Sequence, residues 1–527
     1  MVLDMPLVQE LNFHLCIHKL NHYFRIIKKP GTLIAIILIE ININLQHWRR
    51  LYMLYVNGEW RKAKSCKVLS VTNPATKEEI TEVASGNAED TKEAIDTAAA
   101  VFPSWKKKTG KERGEYLRKA ADKLRGKVDE LAKTITEEMG KPLHEAKGEI
   151  GLAIDYMDWY AEEAKRVYGD TLPASHEDKR LMVIKQPVGV VAAVTPWNFP
   201  VAMITRKIAP ALAAGCPVVI KPASATPVSA IKVIEAFHEA EFPKGVVNLI
   251  IGSAREVVGE MTRNPDVRKL TFTGSTEVGK ELIRQSADTV KKVSMELGGH
   301  APFLVFEDAD IDAAVDSAIA SKFRNAGQTC ICTNRIYVQE SIAREFGEKL
   351  SAKVADMKIG NGLEDGVAIG PLIDGGAVEK TAEHVRDAVK HGGKVLCGGN
   401  EANTGLDGYF YEPTVITDAN ENMKISYEET FGPVAPIFTF KTEEEAIEKA
   451  NNTEYGLAAY VFTENLSRVY HVMEELEYGI VGINDPAPTV AQSPFGGLKE
   501  SGLGREGGKY GIAEYLEEKY ISIQLKN

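Results

Sequence analysis

The sequence predicts an α/β fold made of two blocks of parallel β-sheet with helices on both faces. Apolar strands alternate with amphipathic helices between residues 187 and 299, and a second alternating block runs from about 303 to 483. Strands that are apolar throughout and separated by helices are typical of parallel sheets covered on both sides. With 527 residues, 44% of them hydrophobic, the chain is long enough to form two or three domains.

Residues 1–52 do not share this pattern. Their apolar run, 32–45, is too short to cross a bilayer and contains a glutamate. The bulky basic segment after it lacks the small residues of a signal-peptide cleavage site. Two explanations stay open: an organelle leader, or an upstream extension of a frame whose functional start is Met53. We favour the second, because the globular pattern begins directly after Met53, with a hairpin predicted at Asn57-Gly58.

The elements that follow alternate in a regular order. Residues 86–168 carry apolar residues at three- and four-residue spacing, which predicts amphipathic helices, and a polar connection at 168–180 leads into the first block. In that block we expect strands at 187–200, 217–224, 245–251, 268–275 and 290–299, and helices at 203–215, 229–240 and 276–287. The second block begins with a strand at 302–308 and a helix at 310–327. The last segment, 515–525, predicts a strand at a sheet edge of this or another subunit.

Composition narrows the classes of function. The net charge of −11 argues against a nucleic-acid surface, which needs clustered positive charge, so we expect small-molecule chemistry. The cysteines, at positions 16, 66, 216, 330, 332 and 397, show no repeated metal-ligand spacing. They predict neither a disulfide framework nor a metal site. Together with the lack of a membrane segment, they predict a cytoplasmic location.

The segment 321–335, SKFRNAGQTCICTNR, places Cys330 after a Gly-Gln-Thr turn. A thiolate is the strongest side-chain nucleophile near neutral pH, whereas an unpaired cysteine is also among the most buried residue types. Cys330 is therefore either a nucleophile or inert core. A catalytic role requires a base, an oxyanion site and an acceptor elsewhere in the chain.

Two polar residues near strand ends are candidates for the base and the oxyanion site. Glu296, in SMELGGH, ends an apolar strand, and an apolar surrounding would raise its pKa toward that of a general base. A solvated strand-end glutamate is the alternative. Asn198, in TPWNFP, lies in a constrained turn, where its carboxamide either stabilises an oxyanion or serves the turn itself.

Two segments of the first block suit a dinucleotide. Gly274 and Gly279 in FTGSTEVG form a strand-to-helix turn that can bring N–H groups to a phosphate. Lys221 and Ser224 follow the strand VVIK, with no carboxylate at 222–226 to hold a ribose diol, which leaves room for a 2′-phosphate. The alternatives are a turn without a ligand, a solvated lysine and a helix-capping serine.

The segment YEETFGPV, in the second block, supplies a further candidate. Glu429 and Phe431 combine a carboxylate with an aromatic ring, which suits a ribose hydroxyl and a flat ring. A solvated acidic loop is the alternative.

Taken together, these segments resemble those of the aldehyde dehydrogenase superfamily, and within it the succinate-semialdehyde dehydrogenases, over essentially all of residues 53–527. The matching segments are PWNFP, KPAS, FTGSTEVG, MELGGHAP, GQTCIC, EETFGPVAP and PFGGLKESGLGREGG. The resemblance implies a Rossmann-type cofactor domain, an α/β catalytic domain and a small β oligomerisation extension. The implied boundaries are 1–52 for a non-homologous extension, 53–168 with 188–298 for the dinucleotide-binding domain, 299–504 for the catalytic domain, and 169–187 with 505–527 for the oligomerisation segments.

The resemblance also implies a role for each matching residue. Cys330 would attack the aldehyde carbon, Asn198 and the Cys330 backbone N–H would hold the oxyanion, and Glu296 would activate the water that releases the acid. Ser275 would contact the pyrophosphate. The implied cofactor contacts are Thr195, Pro196, Trp197, Lys221, Ser224, Gly274, Ser275, Gly279, Glu429 and Phe431. No metal is implied.

Charge indicates which aldehyde the site would accept. Relatives with apolar substrates generally carry apolar or aromatic residues at the positions of Arg206 and Arg324, and two guanidiniums there would clamp a carboxylate on the aldehyde. The resemblance makes succinate semialdehyde the expected substrate and leaves glutarate semialdehyde, one methylene longer, as an alternative. At Thr489, a third implied substrate contact, the family usually has serine, so the hydroxyl is kept and a methyl is added.

The expected cofactor is NADP, with NAD as the alternative, because Ser224 stands where NAD-preferring relatives carry glutamate. Two other classes of protein stay open. A non-catalytic relative would be expected to lack Cys330 or Glu296, and both are present. A dehydrogenase that transfers the acyl group to coenzyme A commonly lacks a base equivalent to Glu296, so we expect hydrolysis.

The resemblance further implies a homodimer or a homotetramer. It also gives Cys332 a possible redox role, because some semialdehyde dehydrogenases with this Cys-x-Cys arrangement join the pair by oxidation. A disulfide with Cys330 would block the nucleophile until a thiol reduced it. The alternative for Cys332 is a small core residue.

Overall fold

The computed structural model describes residues 53–526, so the predictions for residues 1–52 lie outside the described part of the chain. In chain order the strands are β1 (Leu54–Val56), β2 (Glu59–Arg61), β3 (Val68–Thr72), β4 (Glu79–Ala84), β5 (Asp170–Leu172), β6 (Lys179–Pro187), β7 (Val190–Val194), β8 (Val218–Lys221), β9 (Val247–Leu249), β10 (Val267–Thr273), β11 (Lys292–Glu296), β12 (Ala301–Val305), β13 (Thr333–Gln339), β14 (Lys394–Cys397), β15 (Thr414–Thr417), β16 (Val434–Phe440), β17 (Tyr455–Gly456), β18 (Ala458–Phe462), β19 (Ile480–Ile483), β20 (Leu498–Lys499), β21 (Gly502–Leu503) and β22 (Leu516–Gln524). The α-helices are α1 (Ala88–Trp105), α2 (Gly110–Arg125), α3 (Val128–Met139), α4 (Leu143–Glu163), α5 (Ala202–Ala214), α6 (Pro227–Glu239), α7 (Ala254–Arg263), α8 (Thr276–Ser286), α9 (Ile311–Lys322), α10 (Ala343–Ala355), α11 (Gly375–Lys390), α12 (Glu443–Asn451), α13 (Leu466–Glu475) and α14 (Gly508–Ala513).

An eight-stranded sheet, called the first sheet below, has the strand order β2-β1-β9-β8-β7-β10-β11-β21. Strands β7 to β11 pair in parallel, with Val194 opposite Lys221 and Thr273 opposite Glu296. Strands β1, β2 and β21 add antiparallel edges. The parallel sheet predicted for the first block is confirmed.

Two local features show where the sequence signal was strong and where it was weak. The predicted hairpin joins β1 to β2, and Asn57 (φ 54°) and Gly58 (φ 77°) adopt the left-handed conformation that a two-residue turn of this type needs. Helix α7, by contrast, lies where the sequence pattern predicted no helix. Its buried apolar positions are only Val257, Val258 and Met261, which is too short a stripe to give a clear helical period.

The second sheet has the order β14-β15-β16-β13-β12-β18-β19, and every pair in it except β14 with β15 is parallel. Its core includes Phe303 stacked on Phe462, with ring centroids 4.6 Å apart. Helix α9 leads from this sheet toward Cys330 and ends at Lys322, earlier than the predicted 327. It ends early because Asn325 and Ala326 both adopt left-handed φ angles of 53°.

A third sheet contains β22, β6 and β5, all antiparallel. The predicted C-terminal strand therefore pairs within its own chain, from Leu516 opposite Pro187 to Gln524 opposite Lys179, and it forms one edge of this sheet. None of the helices in the described part of the chain combines the length and the apolar character needed to span a bilayer.

Candidate active site

Neighbouring strands of the first sheet end side by side and bring several predicted residues to one edge. Glu296 is the last residue of β11, and Lys221 is the last residue of β8. Thr195 follows β7, and its N–H donates to the Lys221 carbonyl over 3.1 Å. The Gly274 N–H, after β10, donates to the Glu296 carbonyl over 3.1 Å. This is the carboxyl edge at which parallel sheets bind their ligands.

The loop that carries Cys330 is almost entirely buried. Within residues 321–330, only Arg324 and Cys330 are partly exposed. The loop packs on the chain after β11 so closely that a Cβ at Gly299 would lie 2.2 Å from the Cys330 carbonyl oxygen. The loop therefore leaves only Arg324 and Cys330 partly accessible and lies against the chain that follows β11.

The Cys330 thiol is neutral in this resting arrangement. Burial raises its pKa to about 12, Arg206 opposes that rise, and the carboxylates of Glu429 and Glu296 add to it. The charges of Arg206, Arg324, Glu296 and Glu429 all act on this thiol. Because only the thiolate is a strong nucleophile, the site needs a base to remove the thiol proton.

Two N–H groups beside Cys330 are available to an oxyanion. The Asn198 side chain is buried, and its Nδ2 donates to the Gln328 carbonyl over 3.0 Å, which leaves its second N–H without an acceptor in residues 53–526. The Cys330 backbone N–H likewise has no acceptor among the described residues. Oxyanion sites are built from such positioned donors.

Glu296 is buried and makes no side-chain hydrogen bond. It is 2% exposed, and neither carboxylate oxygen has a partner in the described part of the chain. Burial raises its pKa well above the usual value, Glu506 adds to the rise, and Arg206 opposes it. A Cβ at Gly496 would lie 2.9 Å from Glu296 Oε1, so this glycine gives the carboxylate its space. These are the surroundings of a general base tuned toward neutral pH.

Lys221 and Ser224, two of the predicted cofactor contacts, fit a phosphorylated ribose. Burial lowers the pKa of Lys221 to about 8, and no carboxylate among residues 53–526 pairs with its ammonium. The Ser224 hydroxyl is half-buried and donates to the Gly252 carbonyl over 3.5 Å. The buried Thr195 hydroxyl has no described partner. A cation without a carboxylate partner and nearby hydroxyls, with no acidic residue at 222–226, suit a 2′-phosphate.

The predicted pyrophosphate turn is shaped by close packing. A Cβ at Gly274 would lie 2.3 Å from the Phe272 ring, and one at Gly279 would lie 2.3 Å from a Leu297 methyl, so a larger residue at either position would displace that side chain. Ser275 caps helix α8, and its hydroxyl accepts from the Val278 N–H over 3.4 Å.

The N-termini of the neighbouring helices are already filled by carboxylates of this chain. Glu149 accepts from the N–H groups at the start of α5, and Glu138 accepts from those of Val228 and Ser229 at the start of α6. Helix α8 has only its serine cap there, which leaves first-turn N–H groups for an anion.

Predicted cofactor contacts from the two blocks meet at Trp197 and Phe431. The Trp197 ring lies edge-on to that of Phe431, with centroids 5.8 Å apart, and Pro196 precedes it in the half-buried turn. Glu429 Oε1 accepts from the Gly299 N–H over 3.1 Å, and burial raises the pKa of Glu429 to about 7. Of the predicted pair, Phe431 therefore contacts the PWN turn, and Glu429 is held by the chain after β11.

The two predicted substrate arginines differ in their partners. Arg206 is 3% exposed, its Nε lies 2.5 Å from Glu506 Oε2, and its guanidinium stacks 4.1 Å from the centroid of the Phe495 ring. Arg324 is half-buried and forms no ion pair or hydrogen bond through its side chain within residues 53–526. The Thr489 hydroxyl is buried and likewise has no described partner.

Cys332 is fully buried, whereas Cys330 is partly exposed, and both are free thiols. Its sulfur accepts from Lys322 Nζ over 3.4 Å and donates to the Lys322 carbonyl over 3.4 Å. The thiol is thus held by α9 in the reduced protein. Its disulfide with Cys330 stays a prediction.

Several charged residues of the site escaped the sequence-based reasoning. Glu506 lies within the quoted segment GREGG and pairs with both Arg206 and Lys207. Lys141 and Glu149 form a buried ion pair beneath Asn198, with 2.5 Å between Nζ and Oε2. A signal for Glu149 exists, because it interrupts the apolar stripe of α4. Among the described residues, no group of three or more His, Cys, Asp and Glu side chains is arranged to hold a metal ion.

Comparison with known proteins gives consistent matches. The model of the aldehyde dehydrogenase family matches residues 60–521. A glutarate-semialdehyde dehydrogenase from Pseudomonas putida is 55% identical over 471 residues, covering 89% of this chain and 97% of the relative. The Escherichia coli protein named succinate-semialdehyde dehydrogenase [NADP(+)] GabD is 54% identical over 470 residues, covering 89% and 97%. The crystal structure of a succinate-semialdehyde dehydrogenase from Burkholderia pseudomallei has a TM-score of 0.89 and 50% identity, covering 90% of this chain and 98% of that one.

Proposed function

The chain belongs to the aldehyde dehydrogenase family and is an NAD(P)-dependent enzyme, and we propose that it oxidises succinate semialdehyde to succinate with NADP. The observation that carries the substrate proposal is Arg324, in the same loop as Cys330. Its half-buried guanidinium lies 5.6 Å from the centroid of the Phe199 ring but has no ion-pair or hydrogen-bond partner among the described residues. Arginine suits bidentate carboxylate binding, and an unpaired guanidinium gains most from an incoming carboxylate. The Thr489 hydroxyl supplies a further donor.

The proposed chemistry begins at Cys330. Glu296 removes the thiol proton, and the thiolate attacks the aldehyde carbon to form a tetrahedral thiohemiacetal. The Asn198 amide and the Cys330 N–H hold the oxyanion. Thr195, Lys221 and Ser224 would hold NADP, which would supply the acceptor for the hydride on this carbon. The carbonyl then re-forms as a thioester on Cys330.

Release of the acid requires water and a base. Glu296 first passes the thiol proton to bulk solvent and then takes a proton from a water molecule. The hydroxyl oxygen attacks the thioester carbon, and the Cys330 sulfur leaves as thiolate. The raised pKa of Glu296 favours uptake of that proton. Splitting the oxidation into acylation and hydrolysis makes each step easier than a direct one.

Thr195, Lys221 and Ser224 support NADP as the cofactor. No acidic residue at 222–226 competes with a 2′-phosphate, and Lys221 has no carboxylate partner in residues 53–526. The proposal predicts a higher kcat/KM with NADP than with NAD, and Ser224→Glu should reverse that order because the carboxylate would repel the phosphate and accept from the ribose diol. A parent enzyme with a strong preference for NAD would refute the cofactor proposal.

The substrate proposal is tested by steady-state kinetics on a panel of succinate semialdehyde, glutarate semialdehyde and butanal. We expect both semialdehydes to exceed butanal, and succinate semialdehyde to exceed the longer one by a factor that corresponds to about 1–3 kcal/mol, the usual effect of one methylene. A reversed order between the semialdehydes would favour the glutarate alternative. A preference for butanal would refute a carboxylate site.

We also propose a homodimer or homotetramer in which 169–187 and 505–527 bridge subunits. The third sheet supports this, because its edge strand β22 has exposed apolar side chains at Tyr520 and Ile523. Light scattering coupled to size exclusion tests it, and a monomer would contradict it. A cytoplasmic location stays a prediction.

A further inference from the structure

Lys141 is a buried lysine with no role in the chemistry above, and all its donors are engaged. Its side chain is 1% exposed. Its Nζ lies 2.5 Å from Glu149 Oε2 and 2.8 Å from the Asn198 carbonyl oxygen, and it stands 3.9 Å from the centroid of the Phe199 ring. An ammonium has three N–H bonds, and here each has a partner.

Glu149, the partner of Lys141, fixes the other end of the same turn. Its Oε1 accepts from the N–H groups of Val201 (2.8 Å) and Ala202 (3.1 Å). Ala202 begins helix α5, which carries Arg206. The ion pair therefore holds the main chain of Asn198 and the start of α5 together.

The same part of the chain also holds the Cys330 loop. Asn325 Nδ2 donates to the Asn198 carbonyl over 3.1 Å and to the Gln328 carbonyl over 3.2 Å. The Asn325 N–H donates to Glu145 Oε2 over 2.8 Å. Glu145 and Glu149 both belong to helix α4, so one helix start connects the oxyanion turn with the nucleophile loop.

Stability alone does not explain this arrangement. Burying an ammonium costs several kcal/mol of hydration free energy, and well-packed apolar residues of similar volume are often as stable as a buried ion pair. The ion pair instead fixes atomic positions, because it holds the Asn198 carbonyl oxygen and the N–H groups of Val201 and Ala202 in place. A displacement of about 1 Å at a reacting centre can cost about 100-fold in rate.

We propose that Lys141 is a positioning residue for the oxyanion site. It holds the main chain of Asn198, with Glu149 as its counter-ion, so that the Asn198 carboxamide faces the carbon attacked by Cys330. The inference rests on the proposed function, which assigns the oxyanion to Asn198. It extends that assignment to a residue that does not touch the substrate.

A double-mutant cycle on the full chain tests the inference. The rate of NADPH formation in a single turnover, with saturating NADP, is measured for the parent, Lys141→Met, Asn198→Ala and the double variant. Removing an oxyanion donor typically costs about 100- to 1,000-fold. We expect Lys141→Met to lose about 100-fold in the parent and less than about 3-fold in the Asn198→Ala background, because Lys141 acts through Asn198. NADP affinity should not change.

Two further variants keep the test decisive. Lys127→Met removes a half-buried ion pair with Glu239 (Nζ to Oε1, 2.7 Å) outside the proposed machinery and should keep the parental rate. Should Lys141→Met fail to fold, Glu149→Gln serves instead, because a glutamine keeps an acceptor for the helix N–H groups while it removes the counter-ion. We expect Glu149→Gln to lose less of the single-turnover rate than Lys141→Met does. This loss should likewise disappear in the Asn198→Ala background.

The inference is overturned if the rate losses of Lys141→Met and Asn198→Ala multiply in the double variant, since Lys141 would then act independently of Asn198. It is also overturned if Asn198→Ala keeps the parental rate. The cycle uses whichever aldehyde the parent oxidises best, so a failed prediction of succinate semialdehyde does not decide it. The semialdehyde panel tests the proposed substrate separately.

Discussion

Arg206 and Arg324 look equivalent in the sequence and differ in the structure. Arg206 is buried, and together with Lys207 it shares the carboxylate of Glu506. Arg324 is half-buried, and its side chain has no ion-pair partner in the described part of the chain. A cation that already has a carboxylate gains little from a second, whereas an unpaired one gains most. We therefore propose Arg324, rather than Arg206, as the anchor for a substrate carboxylate, and we expect Arg206 to act mainly on the charges around Cys330 and Glu296.

The largest expected difference is in stability. Glu506→Gln leaves Arg206 and Lys207 buried without their carboxylate, and breaking a buried ion pair typically costs about 3–5 kcal/mol of unfolding free energy. Arg324→Gln removes a charge that has no ion-pair partner among the described residues. It should change the free energy of unfolding by less than about 1 kcal/mol. Denaturant unfolding at a fixed protein concentration measures both. Equal losses of unfolding free energy in the two variants would show that Arg206 and Arg324 do not differ in their charge partners.

A smaller effect is expected on catalysis from Arg206→Gln. Arg206 opposes the rise in pKa at both Cys330 and Glu296, so its removal makes the thiolate harder to form whatever the substrate. We expect kcat/KM to fall about tenfold, which equals about 1.4 kcal/mol, for succinate semialdehyde and butanal alike. A loss confined to the semialdehyde would instead identify Arg206 as a carboxylate anchor.

The smallest expected effect is a shift in the pH dependence of kcat. Glu296 must be deprotonated to act as a base, so kcat rises with pH through its pKa. Glu506 raises that pKa and Arg206 lowers it. Glu506→Gln should therefore move the rising limb to lower pH, and Arg206→Gln should move it to higher pH, each by about one unit or less. Shifts in the same direction would contradict this account of the charges.

Sequence and structure agree where the signal is local. The hairpin at Asn57-Gly58 and the strands of the first sheet follow from turn chemistry and apolar runs, and the Cys330 segment was identifiable from its residues. Contacts between distant segments were not predictable in this way. Lys207 and Glu506, for example, are 299 positions apart. No local pattern indicates which of several lysines and arginines such a carboxylate will pair with.

The left-handed backbone conformation of the Cys330 loop was also not predictable from the sequence. Helix α9 continues in its apolar pattern beyond Lys322, yet Asn325 and Ala326 turn the chain left-handed, and a Cβ at Gly327 would lie 2.2 Å from the Gly432 carbonyl oxygen. Within residues 321–330, Arg324 and Cys330 stay partly exposed while their neighbours are buried. The sequence predicted the chemistry of these two residues but not how the loop exposes them.

The most direct test of the central claim compares succinate semialdehyde with butanal in the parent and in Arg324→Gln. If Arg324 anchors the substrate carboxylate, the variant should lose about 100-fold in kcat/KM on the semialdehyde, which equals about 2.7 kcal/mol, and keep its kcat/KM on butanal. Equal losses on the two aldehydes would contradict the claim, because they would place the role of Arg324 in folding or chemistry rather than in recognition of the carboxylate.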